Sequence, residues 1–194
     1  GDIIHFRLIT MKLGIKLELI KKVQSNDSAI SALCYNERLN IIIIASTFEV
    51  INRKFYNFEY LNAYNIMVDD MNSQRKIIVD VKVNKIDFVY VLFNINYSDM
   101  FRIAGYTVNG LYFAKVDGRF CNFEFTKRDY IMCGFTNCSD IVIYHPVTFE
   151  KVKIIDNSVD DVTNEGMFHF WFDNFNSEIV FGLNKNPTVI LKKV

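Results

Sequence analysis

The sequence predicts an all-β protein assembled from four blade-like units, and three observations predict it. The stretch Ile131-Met-Cys-Gly-Phe-Thr-Asn137 recurs 48 residues later as Ile179-Val-Phe-Gly-Leu-Asn-Lys185. Its flanks follow at the same offset, Ile141-Val142-Ile143 on Val189-Ile190-Leu191 and Phe123 on Trp171. Second, short apolar runs separated by polar turns fill the chain, while helical periodicity is nearly absent. Third, the second strands of the units centre on Ile43, Val91, Met132 and Val180, at steps of 48, 41 and 48 residues. A period of this size built from short strands is the mark of β-propeller blades.

Each element has a local justification. Residues 1–27 carry His5-Phe-Arg-Leu-Ile9 and then an alternating run. Leu13, Ile15, Leu17 and Leu19 share one face of that run, and Lys12, Lys16 and Glu18 the other, the period-2 pattern of a half-buried strand. Unit 1 spans 28–66: a strand over Ile30–Tyr35, a turn over Asn36–Asn40, a buried strand over Ile41–Ala45, and strands over Phe48–Phe55 and Phe55–Tyr60. Phe58–Met67 is the one stretch that could also form a helical turn. Unit 2 spans 76–116, with strands over Ile77–Val83, Phe88–Ile95, Phe101–Val108 and Leu111–Val116. Asn109-Gly110 marks its last hairpin, because both residues accept positive φ. Unit 3 spans 119–155, after the Asp117-Gly118 turn. Unit 4 spans 167–194, after the acidic turn Val159–Glu165. Ala45, Gly134 and Gly182 end the second strands of units 1, 3 and 4. A small residue there is expected to let neighbouring blades approach.

Composition sets bounds on function. Apolar residues make up 51% of 194 and aromatics 15%, enough for a large core. Lys+Arg and Asp+Glu balance at 22 each, so no global charge favours nucleic acid or a strongly anionic membrane. No apolar run is long enough to span a bilayer. Cys34, Cys121, Cys133 and Cys138 form no CxxC pair and are expected as free thiols in a reducing compartment. The Asn26, Asn96 and Asn137 sequons are chance matches in an Asn-rich chain. The chain opens on Gly rather than Met and in mid-sheet, so it is expected to be a piece of a longer protein.

No catalytic, cofactor-binding or metal-binding residue is predicted. His5, His145 and His169 are isolated in sequence, and His169 reads as a half-buried strand residue. Cys133-x4-Cys138 lacks the spacing of a zinc site. The acid pairs Asp69-Asp70 and Asp160-Asp161 sit on polar turns, where they do not face each other as general acid–base chemistry requires. Lys12, Lys16, Lys21 and Lys22 form a cationic cluster that protects a sheet edge, or touches anionic lipid. The aromatics of Phe55–Tyr60 and Phe168–Phe175 suit either a core or an interface.

The order of features resembles a known family. Ile30-Ser-Ala-Leu-Cys-Tyr35 followed by Asn40-Ile-Ile-Ile-Ile-Ala-Ser46 is similar to the core of a WD40 repeat. Ala104-Gly-Tyr-Thr-Val-Asn-Gly-Leu111, then Phe123 and Asp129-Tyr-Ile-Met-Cys-Gly134, resembles the C-terminal WD40 region of BEACH-domain (neurobeachin/LYST-like) proteins of divergent protist type. The likeness covers residues 28–194. It departs from the pattern in lacking the Gly-His and Trp-Asp dipeptides, and Trp171 is followed by Phe172.

The resemblance implies four blades of a larger, seven-bladed ring. It implies a non-catalytic scaffold that binds other proteins through its propeller surface, in membrane and vesicle trafficking. Such a protein is cytoplasmic, with peripheral association with membranes, and takes no nucleic acid, small-molecule substrate or cofactor. The alternatives are a WD40-like scaffold outside the BEACH family, a self-contained four-bladed β scaffold, and a hydrolase on a propeller. The hydrolase would need Asp87, Asp129, Asp140 and Asp173 to converge at one rim.

Overall fold

The computed structural model describes residues 2–12, 14–24, 30–36, 38, 41–46, 50–56, 59–66, 77–95, 98–138, 140–155, 167–173, 175–183 and 189–193. Among them every regular element is a strand. β1 (Asp2–Met11) and β2 (Gly14–Gln24) pair only with each other. The first sheet holds β3 (Ile30–Asn36), β4 (Ile41–Ser46), β5 (Val50–Tyr56) and β6 (Glu59–Ile66). The second holds β7 (Ile77–Val83), β8 (Phe88–Asn94), β9 (Phe101–Thr107) and β10 (Tyr112–Gly118). The third holds β11 (Phe120–Phe125), β12 (Ile131–Phe135), β13 (Ile141–Tyr144) and β14 (Lys151–Ile155). The fourth holds β15 (Met167–Asp173), β16 (Glu178–Leu183) and β17 (Val189–Lys193). Every sheet is an antiparallel meander in sequence order.

The sheets stack face to face in series, and the composition of the second strands shows why. A strand in a sheet covered on one side alternates apolar and polar. A strand covered on both sides must be apolar throughout. In β8, Val89, Val91 and Phe93 pack towards the first sheet, with Ile41, Ile43, Ala45, Ile78 and Val81. The intervening Tyr90 and Leu92 pack towards the third, with Phe120, Phe123, Ile131 and Cys133. In β12 the alternation continues: Ile131 and Cys133 face back to the second sheet, and Met132 packs forward with Met167, Phe170 and Ile179 of the fourth. Each fully buried Leu, Ile, Val or Phe stabilises by about 1.5–3 kcal/mol. Among the described residues the core is thus three consecutive inter-sheet layers, with Ile42 and Ile44 buried beside Ile30 on the other face of the first sheet.

A second repeat is invisible in the sequence. The leading strand of every sheet carries a register shift: at Ile30/Ala32 in β3, Ile78/Asp80 in β7, Phe120/Asn122 in β11 and Met167/His169 in β15. One extra residue at such a bulge bends the strand and increases its twist. The four sheets therefore share one deformation at one place, which aims the residue after each bulge differently from a regular strand.

Several sequence expectations change on contact with the structure. The run over residues 12–20 is not half-buried. In the β1–β2 hairpin, Phe6 opposes Leu19 and Leu8 opposes Leu17. Their shared apolar face is open, with Ile15 66% and Leu17 61% exposed. Alternation showed the strand but not whether anything covers it. Leu13 lies outside the described residues. Residues 59–66, read as a closing strand ending at Tyr60 or as a helical turn, form β6, because pairing to β5 overrides weak local preference. The 48-residue repeat also drifts. Phe123 opposes Cys133, and Phe170, not Trp171, opposes Phe181. The cause is the turn: residues 126–130 separate the paired Phe125 and Ile131, whereas 173–178 separate the equivalent pair Phe172 and Ile179, one residue more. Hence Phe170 is the buried counterpart of Phe123, and Trp171 is 54% exposed.

The small residue in β12 does what was expected of it. A Cβ on Gly134 would lie 2.6 Å from the Phe170 ring of the fourth sheet and 2.9 Å from Cys121 Sγ. The second sheet has no small residue in its second strand. It has Gly105 in β9, beneath the Phe113 ring of β10, so its tight spot lies within a sheet rather than between two.

Candidate functional site

The turns between the first and second strands of successive sheets lie side by side at one end of the stack, stitched together by polar side chains. These turns are built alike. Asn84 Oδ1 accepts the Phe88 N–H, and Thr126 Oγ1 accepts the Tyr130 N–H, each closing a short loop from its first residue. The fourth position of each loop needs positive φ, supplied by Asp87 (φ 67°) and Asp129 (φ 62°). Asp is among the few side chains that tolerate this region.

The stitching then runs from sheet to sheet. Asn36 Nδ2 donates to Asp87 Oδ1 at 3.0 Å, and Arg38 pairs with the same carboxylate. The Lys85 N–H donates to Asp129 Oδ1 at 3.3 Å, and Lys85 Nζ to the Lys127 carbonyl at 3.1 Å. Lys127 Nζ donates onward to the Phe175 carbonyl and Ser177 Oγ, both at 3.3 Å. Beneath this rim Tyr90, fully buried, accepts from Asn84 Nδ2 and donates to the Pro146 carbonyl at 3.0 Å. Burial pushes its phenol well above the ordinary tyrosine range.

The leading strands form a second polar zone. Lys82 Nζ of β7 reaches across to β11, donating to Glu124 Oε1 at 2.6 Å and to the Phe123 carbonyl at 2.7 Å. It lies 3.6 Å from Asp80 Oδ2 and 5.3 Å above the Phe123 ring. Asp80 is raised from the usual carboxylate range by desolvation, offset in part by Lys82, by the Val81 N–H and by His169 of β15. Cys34 of β3 is within electrostatic reach of both Asp80 and Lys82, and burial raises its thiol. Side chains from the leading strands of the second and third sheets therefore meet here, and Cys34 of the first and His169 of the fourth bear on them electrostatically. The most structural of these links is Asn122, which follows the β11 bulge and is 4% exposed. Its Nδ2 donates to the Phe170 carbonyl at 2.7 Å and its Oδ1 accepts the Phe170 N–H at 3.1 Å. The amide thus replaces a strand partner for β15.

The residues singled out in the sequence are dispersed. Asp87 and Asp129 occupy the stitched rim, each engaged by the neighbouring sheet. Asp173, at the same end, accepts the Phe175 N–H and a bond from Asn176, which together with Lys127 lower its pKa. Asp140 precedes β13 at the opposite end of the third sheet, so the four do not converge. His145 ends β13. Its Nδ1 accepts the Val147 and Thr148 N–H groups, and its ring stands edge-on to Tyr130. His169 is exposed rather than half-buried, because the β15 bulge turns it out of the layer. All four cysteines are free thiols. Cys133 is fully buried and raised well above its usual value, and burial pushes Cys121 to about 12. Lys22 pairs with Asp2 at 2.7 Å across the hairpin, while Lys12 and Lys16 are exposed. Among the described residues no three His, Cys, Asp or Glu side chains group as metal ligands. Asp69-Asp70, Asp160-Asp161 and the Val159–Glu165 turn lie outside the described residues, as do Asn26, Asn96 and Phe58. Asn122 and Lys82 were not found in the sequence. The local signal they leave is a polar residue two positions from an acid within a short, mostly apolar strand, Lys82 after Asp80 in β7 and Asn122 before Glu124 in β11.

No protein-family model matches the sequence, and no curated protein matches it. Among solved structures, the crystal structure of a protein of unknown function from Bacteroides caccae is similar, with a TM-score of 0.52 at 8% identity. The likeness covers 93% of this chain and 69% of that one. At this identity it shows a shared fold: an all-β chain of several small antiparallel sheets.

Proposed function

We propose that this chain is a propeller-type interaction scaffold, with its stitched turn end as the working surface. One observation carries the proposal: consecutive sheets are bonded to each other by side chains on both the leading strands and the first turns. Such cross-links fix neighbouring loops in register, and a fixed row of loops on a rigid stack is a preformed binding surface. Meander sheets in sequence order, packed face to face, are what propeller blades require and support this reading. The WD40 type, the seven-bladed ring and membership of a BEACH-type trafficking protein rest on the sequence resemblance alone. Under that reading the partners are other proteins, the location is cytoplasmic and peripheral to membranes, and no step is catalysed.

The test is cross-linking of captured partners to the folded chain, with the linked residues mapped by mass spectrometry. Links concentrated on residues 84–87 and 126–130 support the proposal. Links spread over the β5, β6 and β10 strands instead would remove it. The narrower reading is checked on the gene: an open reading frame that joins this segment to a BEACH domain and further blades supports it, and one without them ends it.

A further inference from the structure

Between the third and fourth sheets lies an open groove of about 670 Å³. Its walls combine Tyr130, Ile143, Val152 and Phe172 with three cations, Lys127, Arg128 and Lys153, and among the described residues that line it none is a carboxylate. Lys127 is held in place by the Phe175 carbonyl and Ser177 Oγ, both neutral acceptors, so its charge is positioned but not neutralised by that contact. Asp173, the acid that bears electrostatically on Lys127, is itself engaged with the Phe175 N–H and Asn176.

The groove also borders a sheet edge. Among the described residues β14 is the terminal strand of its sheet, paired to β13 only. Val152 and Ile154 on it are 55% and 50% exposed, and Lys151 and Lys153 alternate with them. Lysines on an open edge repel basic strands and other copies of the same edge, but they attract acidic ones. An edge strand beside a concave wall with apolar and cationic positions suits an extended polypeptide, which adds by backbone hydrogen bonds and is selected through alternate side chains.

We propose that this groove and the β14 edge bind an acidic, extended segment of a partner protein, with its carboxylates at Lys127, Arg128 and Lys153 and its apolar side chains on Val152 and Phe172. The proposal deepens the scaffold reading and rests on it.

The test is fluorescence anisotropy with the whole chain and a short labelled peptide that alternates glutamate with valine. Its controls are a lysine–valine counterpart, a backbone N-methylated form of the acidic peptide, and vesicles of phosphatidylserine. Saturable binding of the acidic peptide is expected, weakened by about tenfold or more in the Arg128→Glu/Lys153→Glu variant. Lys115→Glu, on β10, should leave it unchanged. Binding should be lost with the lysine peptide and with the N-methylated one. Equal binding of either control peptide, no binding of the acidic peptide, indifference to the double reversal, or binding of vesicles but not of the peptide would each overturn the proposal. Far-ultraviolet spectra and melting curves of the double variant that match the parent show that the stack survives. A failure of the groove is then separate from a failure of the scaffold, which the partner cross-links report.

Discussion

Replacing Asn122 by Ala tests whether the fourth sheet is anchored by a side-chain amide. Asn122 satisfies both backbone groups of Phe170, a residue with 0% exposure, at 2.7 and 3.1 Å. Alanine leaves a buried N–H and a buried C=O without their partner. Each such orphan costs about 1–3 kcal/mol, so the variant should lose about 2–6 kcal/mol. For a domain of this size that is a fall of roughly 4–24 °C in Tm, from about 2–4 °C per kcal/mol. Trp171, the single tryptophan, is next to Phe170 and reports the change by fluorescence during urea and thermal unfolding. Asn122→Asp sharpens the test. Aspartate keeps the acceptor for the Phe170 N–H but, once ionised, points a charge at the Phe170 carbonyl. Burial and that carbonyl should raise its folded pKa above the unfolded value of about 3.9. Stability from the protonated acid is then fully present below about pH 3.9 and is lost as pH rises through the folded pKa. The Asp variant should therefore lie closer to the parent at pH 4 than at pH 7. An Asn122→Ala chain that melts within about 2 °C of the parent, or an Asp variant with no such pH trend, would refute the reasoning.

Further outcomes follow from the same packing. Gly134→Ala places a methyl 2.6 Å from Phe170 and 2.9 Å from Cys121 Sγ, and should cost about 1–3 kcal/mol by overpacking; a urea midpoint equal to the parent's would contradict the close approach of the third and fourth sheets. Tyr90→Phe removes two buried hydrogen bonds and should cost about 1–3 kcal/mol, measured by thermal melting at neutral pH. Raised thiol pKa values at Cys121 and Cys133 favour the protonated folded state, so their contribution is full below about pH 9 and lost as pH rises through their folded values. Stability should fall on raising pH from 9 towards 12, more steeply than in a Cys121→Ala/Cys133→Ala chain. In timed alkylation read by mass spectrometry, Cys138, on a turn, should label first and Cys133 last; early labelling of Cys133 would show that the layer between the second and third sheets opens readily.

The sequence by itself determined which residues form strands and which pairs of strands are neighbours in the chain. Phe88–Phe93 and Ile41–Ala45 are apolar throughout, which requires cover on both faces, and Asn109-Gly110 closes its hairpin by backbone preference alone. These are local consequences of side-chain alternation and turn chemistry, so they are written within a few residues. Tertiary structure decided what spans two sheets. The bulge in each leading strand, the displacement of Phe170 into the place expected of Trp171, and the bidentate reach of Asn122 to a residue 48 positions away depend on how one sheet lies on the next. The same holds for the open face of the β1–β2 hairpin and for the cationic groove beside β14. A sequence specifies which side chains an element offers, but burial and partnership are properties of the surface that element meets.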